Sequence, residues 1–208
     1  MQNGNYLGGL TGRTSTAYNR ALKQDATTDR PFDGCRIPAK VYGTPYFLTI
    51  EERNAIHEMD LSDDPVPASY RDVFMFQCLV GCRYSNLARL TSGNIVNDAV
   101  EYIPHRTREK NPGTVRVSHN EKSRTVLERL QGCQQTRTLV PCNSGSRYNT
   151  ATWKLLTLAG ITRDVLVGSP KKYKEIIKPI NEIASSHMAR WVFTGNLYKQ
   201  VKGPEPSP

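Results

Sequence analysis

From Tyr70 to Val80 the chain reads Tyr-Arg-Asp-Val-Phe-Met-Phe-Gln-Cys-Leu-Val, apolar almost all round and without a turn residue. Such a segment predicts a helix buried on every side, the centre of a core. Upstream, Tyr42-Gly43-Thr44-Pro45 marks a turn, and Thr49 followed three residues later by Glu52 is a capping box opening a helix to about Met59. Residues 62–67 read as a loop. Gly81 breaks the buried helix, Cys82 and Arg83 follow at once, and residues 85–90 restart a short helix capped by Ser85 or Asn86. Arg83 is therefore expected in a tight corner between helices.

After Asn94 the period changes to alternation, which predicts strands at 99–103 and 114–117 around a hairpin tip, 105–113, crowded with cations. Residues 120–130 and 148–158 are amphipathic helices, the second ended by Gly160. Val165-Leu166-Val167 and Glu175-Ile176-Ile177 flank a Gly-Ser-Pro-Lys-Lys turn, a second possible hairpin, and the last helix runs over about 186–200. Residues 1–45 are rich in Gly, Thr, Asp and Pro, with one stretch, Ala17 to Leu22, that suits a helix; they read as a tail and linker. Residues 201–208, Val-Lys-Gly-Pro-Glu-Pro-Ser-Pro, are expected to be non-helical and disordered.

Composition makes this an ordinary globular chain, with 38% hydrophobic and 23% charged residues among 208. That length suffices for one domain with a core plus a fragment of another. No apolar run reaches about 18 residues and the first residues lack a signal-peptide pattern, so a cytoplasmic protein with no membrane partner is expected. Five Cys, an odd number in a chain that folds without staples, predict reduced thiols. Cys78 and Cys82 could share a helix face as metal ligands, yet no second pair at zinc spacing follows, and core cysteines are expected. The net charge of +9 is uneven: residues 1–100 carry 10 Lys+Arg against 11 Asp+Glu, residues 101–208 carry 18 against 8. A positive second half favours a polyanion, nucleic acid first among them, or serves only as a solubilising surface.

Two groups of residues could carry chemistry. Arg106, Arg108, Lys110 and Arg116 lie on the predicted hairpin, where alternate residues face one way and can offer cations to successive phosphates. The bland alternative is a solvated hairpin whose charges protect a sheet edge. In Ser186-His187-Met188-Ala189-Arg190, His at i and Arg at i+3 stand side by side on a helix and can converge on one anion. Histidine offers a proton near neutral pH and arginine a fixed fork for phosphoryl oxygens, although H-x-x-R also occurs by chance.

Taken in order, the motifs resemble the catalytic domain of tyrosine recombinases, the phage-integrase family. Leu79 to Thr91, with Gly81-Cys82-Arg83 and Asn86 in an acidic place, looks like the first family motif; Ile103-Pro104-His105-Arg106-Thr107 resembles the β2 segment that normally carries Lys-Thr; His187 to Arg190 resembles the third. The likeness covers about 47–200, and residues 181–187 and 195–199 look most like integrases of mobile elements in gut Bacteroidetes.

The resemblance implies a mainly helical α+β DNA breaking-rejoining domain over 46–200 with a small antiparallel sheet. It implies double-stranded DNA as partner, intact recombinase protomers as possible companions on DNA, no small-molecule substrate, and no metal, ATP or other cofactor. A Tyr attacks a phosphodiester and the freed 5′-hydroxyl of a partner strand later reverses the link. By that resemblance Arg83 and Arg190 hold the phosphate, His187 assists the nucleophile's proton, and Arg106 stands in the place of the Lys general acid, with Lys110 as a substitute. Residues 1–45 would be a remnant of the core-binding domain. The family's terminal nucleophile motif has no counterpart, which predicts a truncated and inactive chain. Tyr198 lies 11 residues beyond His187, about 16 Å along a helix, too far to stand in. Two other classes stay open: a non-catalytic DNA-binding protein that keeps the phosphate clamp, and a helical protein-interaction domain with no affinity for DNA.

Overall fold

The computed structural model describes residues 4–35, 46–106, 109, 112–132, 138–140, 144–169 and 174–202. Its elements in chain order are α1 (Gly4–Lys23), α2 (Ile50–Glu58), α3 (Pro65–Val80), α4 (Tyr84–Leu87), β1 (Ile95–Val96), β2 (Ala99–Tyr102), β3 (Val115–Ser118), α5 (Glu121–Gly132), α6 (Gly145–Leu158), β4 (Asp164–Ser169), β5 (Lys174–Pro179), α7 (Ile180–Ile183) and α8 (Ser186–Lys202). The expected mainly helical α+β class with a small antiparallel sheet is what these elements make. The chain forms two compact units, one from 1–44 and 166–178, the other from 45–165 and 179–208.

The larger unit is organised by α3, which packs against α2, α5, α6 and α8. From Asp72 to Val80 every residue of α3 is buried, the apolar ones from Val73 onward together with the polar Asp72 and Gln77. Around it Ile56, Leu127, Leu130, Leu155, Met188 and Val192 complete the core. The helix begins at Pro65, inside the expected loop, because proline suits the first turn, where its missing N–H has no helical partner to lose. It ends at Gly81, whose φ of +69° is a left-handed cap. Thr49 caps α2 as expected: its hydroxyl accepts from Glu52 N at 3.1 Å and Glu52 Oε2 accepts from Thr49 N at 2.8 Å.

Strands β1, β2 and β3 form an antiparallel sheet in that order, with Glu101 opposite Arg116 and Tyr102 opposite Val115. Strand β1 is additional to the two expected strands. Asn97 and Asp98 link it to β2 with φ of +47° and +60°, the two left-handed residues that a tight hairpin needs. Strands β4 and β5 pair as a two-stranded ribbon, the second hairpin anticipated above.

In the smaller unit α1 is longer than the short helix expected there. It is helical from Gly4 to Lys23, far beyond Ala17–Leu22. The hydroxyls of Thr14 and Thr16 donate to the carbonyls of Leu10 and Gly12 at 3.1 and 2.7 Å, and Arg20 and Lys23 complement the dipole in the last turn. At the other terminus α8 includes Val201 and Lys202, two residues past the expected end. No described helix is long and apolar enough to cross a membrane.

Candidate phosphate-binding site

The corner after α3 is held from three sides. Gln77, fully buried one turn before the cap, donates from Nε2 to the Cys82 carbonyl at 2.9 Å and accepts the Tyr148 hydroxyl at 2.6 Å. Arg190 on α8 donates from Nη1 to the Gly81 carbonyl at 2.8 Å. Packing adds to these bonds, since a Cβ built on Gly81 would lie 2.3 Å from the Phe193 ring. The α3 cap and α8 therefore approach as closely as glycine allows.

Arg83 leaves this corner as the N-cap of α4, half-buried. Arg83 and Arg190 both act electrostatically on Tyr102, at the end of β2. Burial is the main influence on that phenol, followed by Cys82; against the pull of the two arginines it is pushed up to about 12. Cys82 is buried beside the same group, and desolvation pushes its thiol up to about 12, so it stays protonated. Cys78 is raised too by burial, and both are core residues. Cys35 is a free, exposed thiol; Cys133 and Cys142 lie outside the described residues.

The start of α8 is tied to α6, where Asn149 Oδ1 accepts from Ser186 N at 2.9 Å. His187 follows in the first turn with an exposed ring, 6.1 Å from that of Trp191 in a stacked arrangement. The joined hydrogen bonds thus bring Arg83 and Arg190 to one corner, while His187 is open to solvent on the same helix as Arg190.

The hairpin cations divide. Arg106 is exposed at the turn after β2. Arg108 and Lys110 lie outside the described residues. Arg116 on β3 is already engaged, pairing with Glu101 across the strands and donating from Nη2 to the Asn97 carbonyl at 3.2 Å. The uniform cationic row expected from alternation is thereby partly neutralised at Arg116. Asn86, in the acidic place of the first motif, accepts from His105 N at 3.1 Å and so anchors the hairpin base to α4. Asn86, Arg89, Tyr102 and His105 border a cavity of about 450 Å³ there. Three supports escaped the sequence reading: Gln77, Tyr102 and Asn149. A lone Gln in the apolar run from Val73 to Val80 was a usable signal for the first, because a buried amide must find partners; the other two contacts join distant segments and leave no local mark.

This architecture is the fold of tyrosine-recombinase catalytic domains. Among solved structures it is similar to a lambda integrase(75-356) dimer bound to a COC' core site, with 15% identity and a TM-score of 0.60 over 91% of this chain and 62% of that one. It is also similar to the Tn1549 transposon integrase (aa 82-397) in complex with circular intermediate DNA, with 14% identity and a TM-score of 0.55 over 92% of this chain and 65% of that one. For XerH site-specific recombinase bound to difH substrate the values are 16% and 0.51, over 75% and 43%. The chain thus spans less than two thirds of each of these relatives. No family model and no curated protein matches it.

Proposed function

We propose that this chain is the catalytic-domain portion of a site-specific DNA recombinase or integrase of a mobile element, and that Arg83, His187 and Arg190 hold a phosphodiester of duplex DNA. One observation carries the reading: the Arg190 to Gly81 hydrogen bond brings the H-x-x-R helix onto the corner that presents Arg83. Two guanidinium groups there suit the non-bridging oxygens of a phosphate, and the exposed His187 is free to reach a substrate above them. The DNA complexes of the similar structures support duplex DNA as the partner; intact recombinase protomers would be companions on it.

Cleavage would require a Tyr hydroxyl at the phosphorus and a proton for the leaving 5′-oxygen. Arg106 is a poor donor, since its guanidinium holds its proton far above neutral pH; Lys110, in the same hairpin, is the alternative. Two tyrosines, Tyr198 and Tyr102, are not suited to that attack. Tyr198 lies 11 residues past His187 on α8, about 16 Å along the axis. Tyr102 feels both arginines, but burial raises its phenol to about 12, which makes the proton harder to remove than from an ordinary tyrosine. On this reading the residues of this chain hold duplex DNA, and the nucleophile is neither of these two tyrosines.

The test is incubation with a nicked suicide duplex at several salt concentrations. Expected are a complex that weakens steeply with salt and no denaturation-resistant adduct. An adduct lost in Tyr198→Phe or Tyr102→Phe would overturn the assignment of the tyrosines. Absence of salt-dependent binding would overturn the clamp itself and leave the helical protein-interaction reading.

A further inference from the structure

Asn149, Trp153 and Thr157 recur every four residues along α6, so they share one face of that helix. Each holds a different part of the chain that leads into α8. Thr157 Oγ1 accepts from Asn181 Nδ2 of α7 at 2.9 Å. Trp153 Nε1 donates to the carbonyl of Ala184, in the two-residue link between α7 and α8. Asn149 Oδ1 accepts at 2.9 Å from the N–H of Ser186, the first residue of α8. The row is braced along its own length, since Thr157 Oγ1 donates to the Trp153 carbonyl at 2.9 Å. Beyond the link, Met188 N donates to the Ser185 carbonyl at 2.8 Å and closes the first turn of α8.

Burial alone would not call for these bonds. Ile180, Ala184, Met188 and Ala189 already seat α7 and α8 in the core. Apolar burial is non-directional, whereas a hydrogen bond fixes both a distance and an angle. Trp153 shows the distinction: the residue is 43% exposed, yet its N–H is committed to the Ala184 carbonyl. What the bonds fix is the residue that follows them. His187 comes directly after Ser186, and on its other side Arg190 is held to the Gly81 carbonyl at 2.8 Å. Its exposed ring is thus carried by a backbone tied both before and after it. The neighbour of Asn149 is Tyr148, whose hydroxyl holds Gln77 and, through Gln77, the Cys82 carbonyl beside Arg83. Successive side chains on a helix point about 100° apart, so α6 holds the Arg83 corner with one residue and the start of α8 with the next.

We propose that α6 is the common frame that sets His187 relative to Arg83, and that Asn149 and Trp153 are positioning residues acting through His187. Their use in binding rests on the proposed phosphate clamp; their effect on where the His187 ring stands does not. A phosphate in that clamp must meet Arg83, Arg190 and His187 together. A slip of the first turn of α8 by about 1 Å takes an imidazole out of hydrogen-bond reach, and geometry at that scale is what supporting residues on rigid elements secure.

Two readouts on the full chain test the frame. The first needs no DNA: the His187 ring protons, which the Trp191 ring shields from 6.1 Å, are assigned among the four histidines with His187→Ala and followed by NMR. In Asn149→Leu, which adds no aromatic ring, they should lose part of that shielding. The second is affinity for a short DNA duplex at low salt. Trp153→Phe keeps a ring and loses the N–H, and it should weaken binding several-fold. In a His187→Ala background the same substitution should change affinity by about two-fold or less, because the residue it acts through is gone. Should Trp153→Phe fail to fold, Asn149→Leu is carried through the same cycle. Unmoved His187 ring protons, or an equal affinity loss with and without His187, would make the row a packing device and overturn the frame. A His187→Ala variant with undiminished affinity would instead remove His187 from the clamp, and the ring protons would still uphold or overturn the frame by themselves.

Discussion

Tyr148→Phe isolates the buried relay that holds the Arg83 corner. The substitution keeps the aromatic ring, which stacks on Tyr84 with centroids 5.3 Å apart, and removes the hydroxyl that donates to Gln77 Oε1 at 2.6 Å. Tyr148 and Gln77 are both fully buried, so water does not replace the lost donor. An acceptor stranded in that way costs about 1–3 kcal/mol. For a chain of this size each kcal/mol lowers Tm by about 2–4 °C. Urea melts of the two proteins should therefore differ by about 1–3 kcal/mol with an unchanged m-value. Gln77 also holds the Cys82 carbonyl at 2.9 Å, so loosening its side chain loosens the backbone that presents Arg83. Duplex affinity should fall as well, by less than the loss in Arg83→Ala, because the charge is still present. A double-mutant cycle with Gln77→Leu should return a coupling of about 1 kcal/mol or more. A Tyr148→Phe loss under about 0.5 kcal/mol, or a coupling near zero, would refute the relay as the support of the corner.

Gly81→Ala meets two penalties, a left-handed φ of +69° and a Cβ 2.3 Å from the Phe193 ring, so equilibrium unfolding should show a loss well above about 1 kcal/mol; a neutral result would mean that α8 does not dock as described. Arg106→Ala should lower the salt dependence of duplex binding by about one phosphate contact, while Arg116→Ala, whose guanidinium is engaged by Glu101, should lower it less; equal slopes would refute the division of the hairpin. Acidification tests His119, whose ring is held below its ordinary value by desolvation first, against the opposing pull of Asp98 and with a smaller push from Arg124. Below about pH 6.5 the unfolded chain takes up a proton that the folded ring resists. Stability should therefore fall as pH drops from there toward the lower folded value. In His119→Asn, melts across pH should show that part of the slope removed, and an unchanged slope would refute the assignment.

Local chemistry made part of this fold legible and long-range contact hid the rest. The Thr49 box, the buried run ending at Gly81 and the strand alternation are written in neighbouring residues, and each stands where its pattern placed it. Helix α1 was hidden because Gly8, Gly9 and Gly12 lower intrinsic helicity, although Thr14 and Thr16 bond back along it. Two-residue β1 is too short for any periodic signal, and only the Asn97-Asp98 pair announced its turn. At the site, residue types named Arg83, His187 and Arg190, yet nothing local shows that Arg190 bonds to the Gly81 carbonyl 109 residues earlier. The engagement of Arg116 by Glu101 was equally hidden, because it depends on strand register rather than on composition.

The likeness to the solved structures is one of fold alone. An identity near 15% fixes few side chains, and a fold by itself does not carry a function. What the corner demands is narrow: a glycine that turns left-handed, a carbonyl left free by the helix end, and an arginine one helix away to take it. Arg190 spends one donor on that carbonyl and keeps the rest of its five for another acceptor. A guanidinium so tethered cannot swing, and it offers its remaining N–H groups in a fixed plane, whereas a lysine would have one charge and no fork. Arg190→Lys should then preserve net charge while losing both the tether and the clamp. The expected outcome is duplex binding weakened nearly as much as in Arg190→Ala, read by titration at low salt. Binding close to wild type would mean that charge alone suffices and that the tethered geometry at Gly81 has no part in holding phosphate.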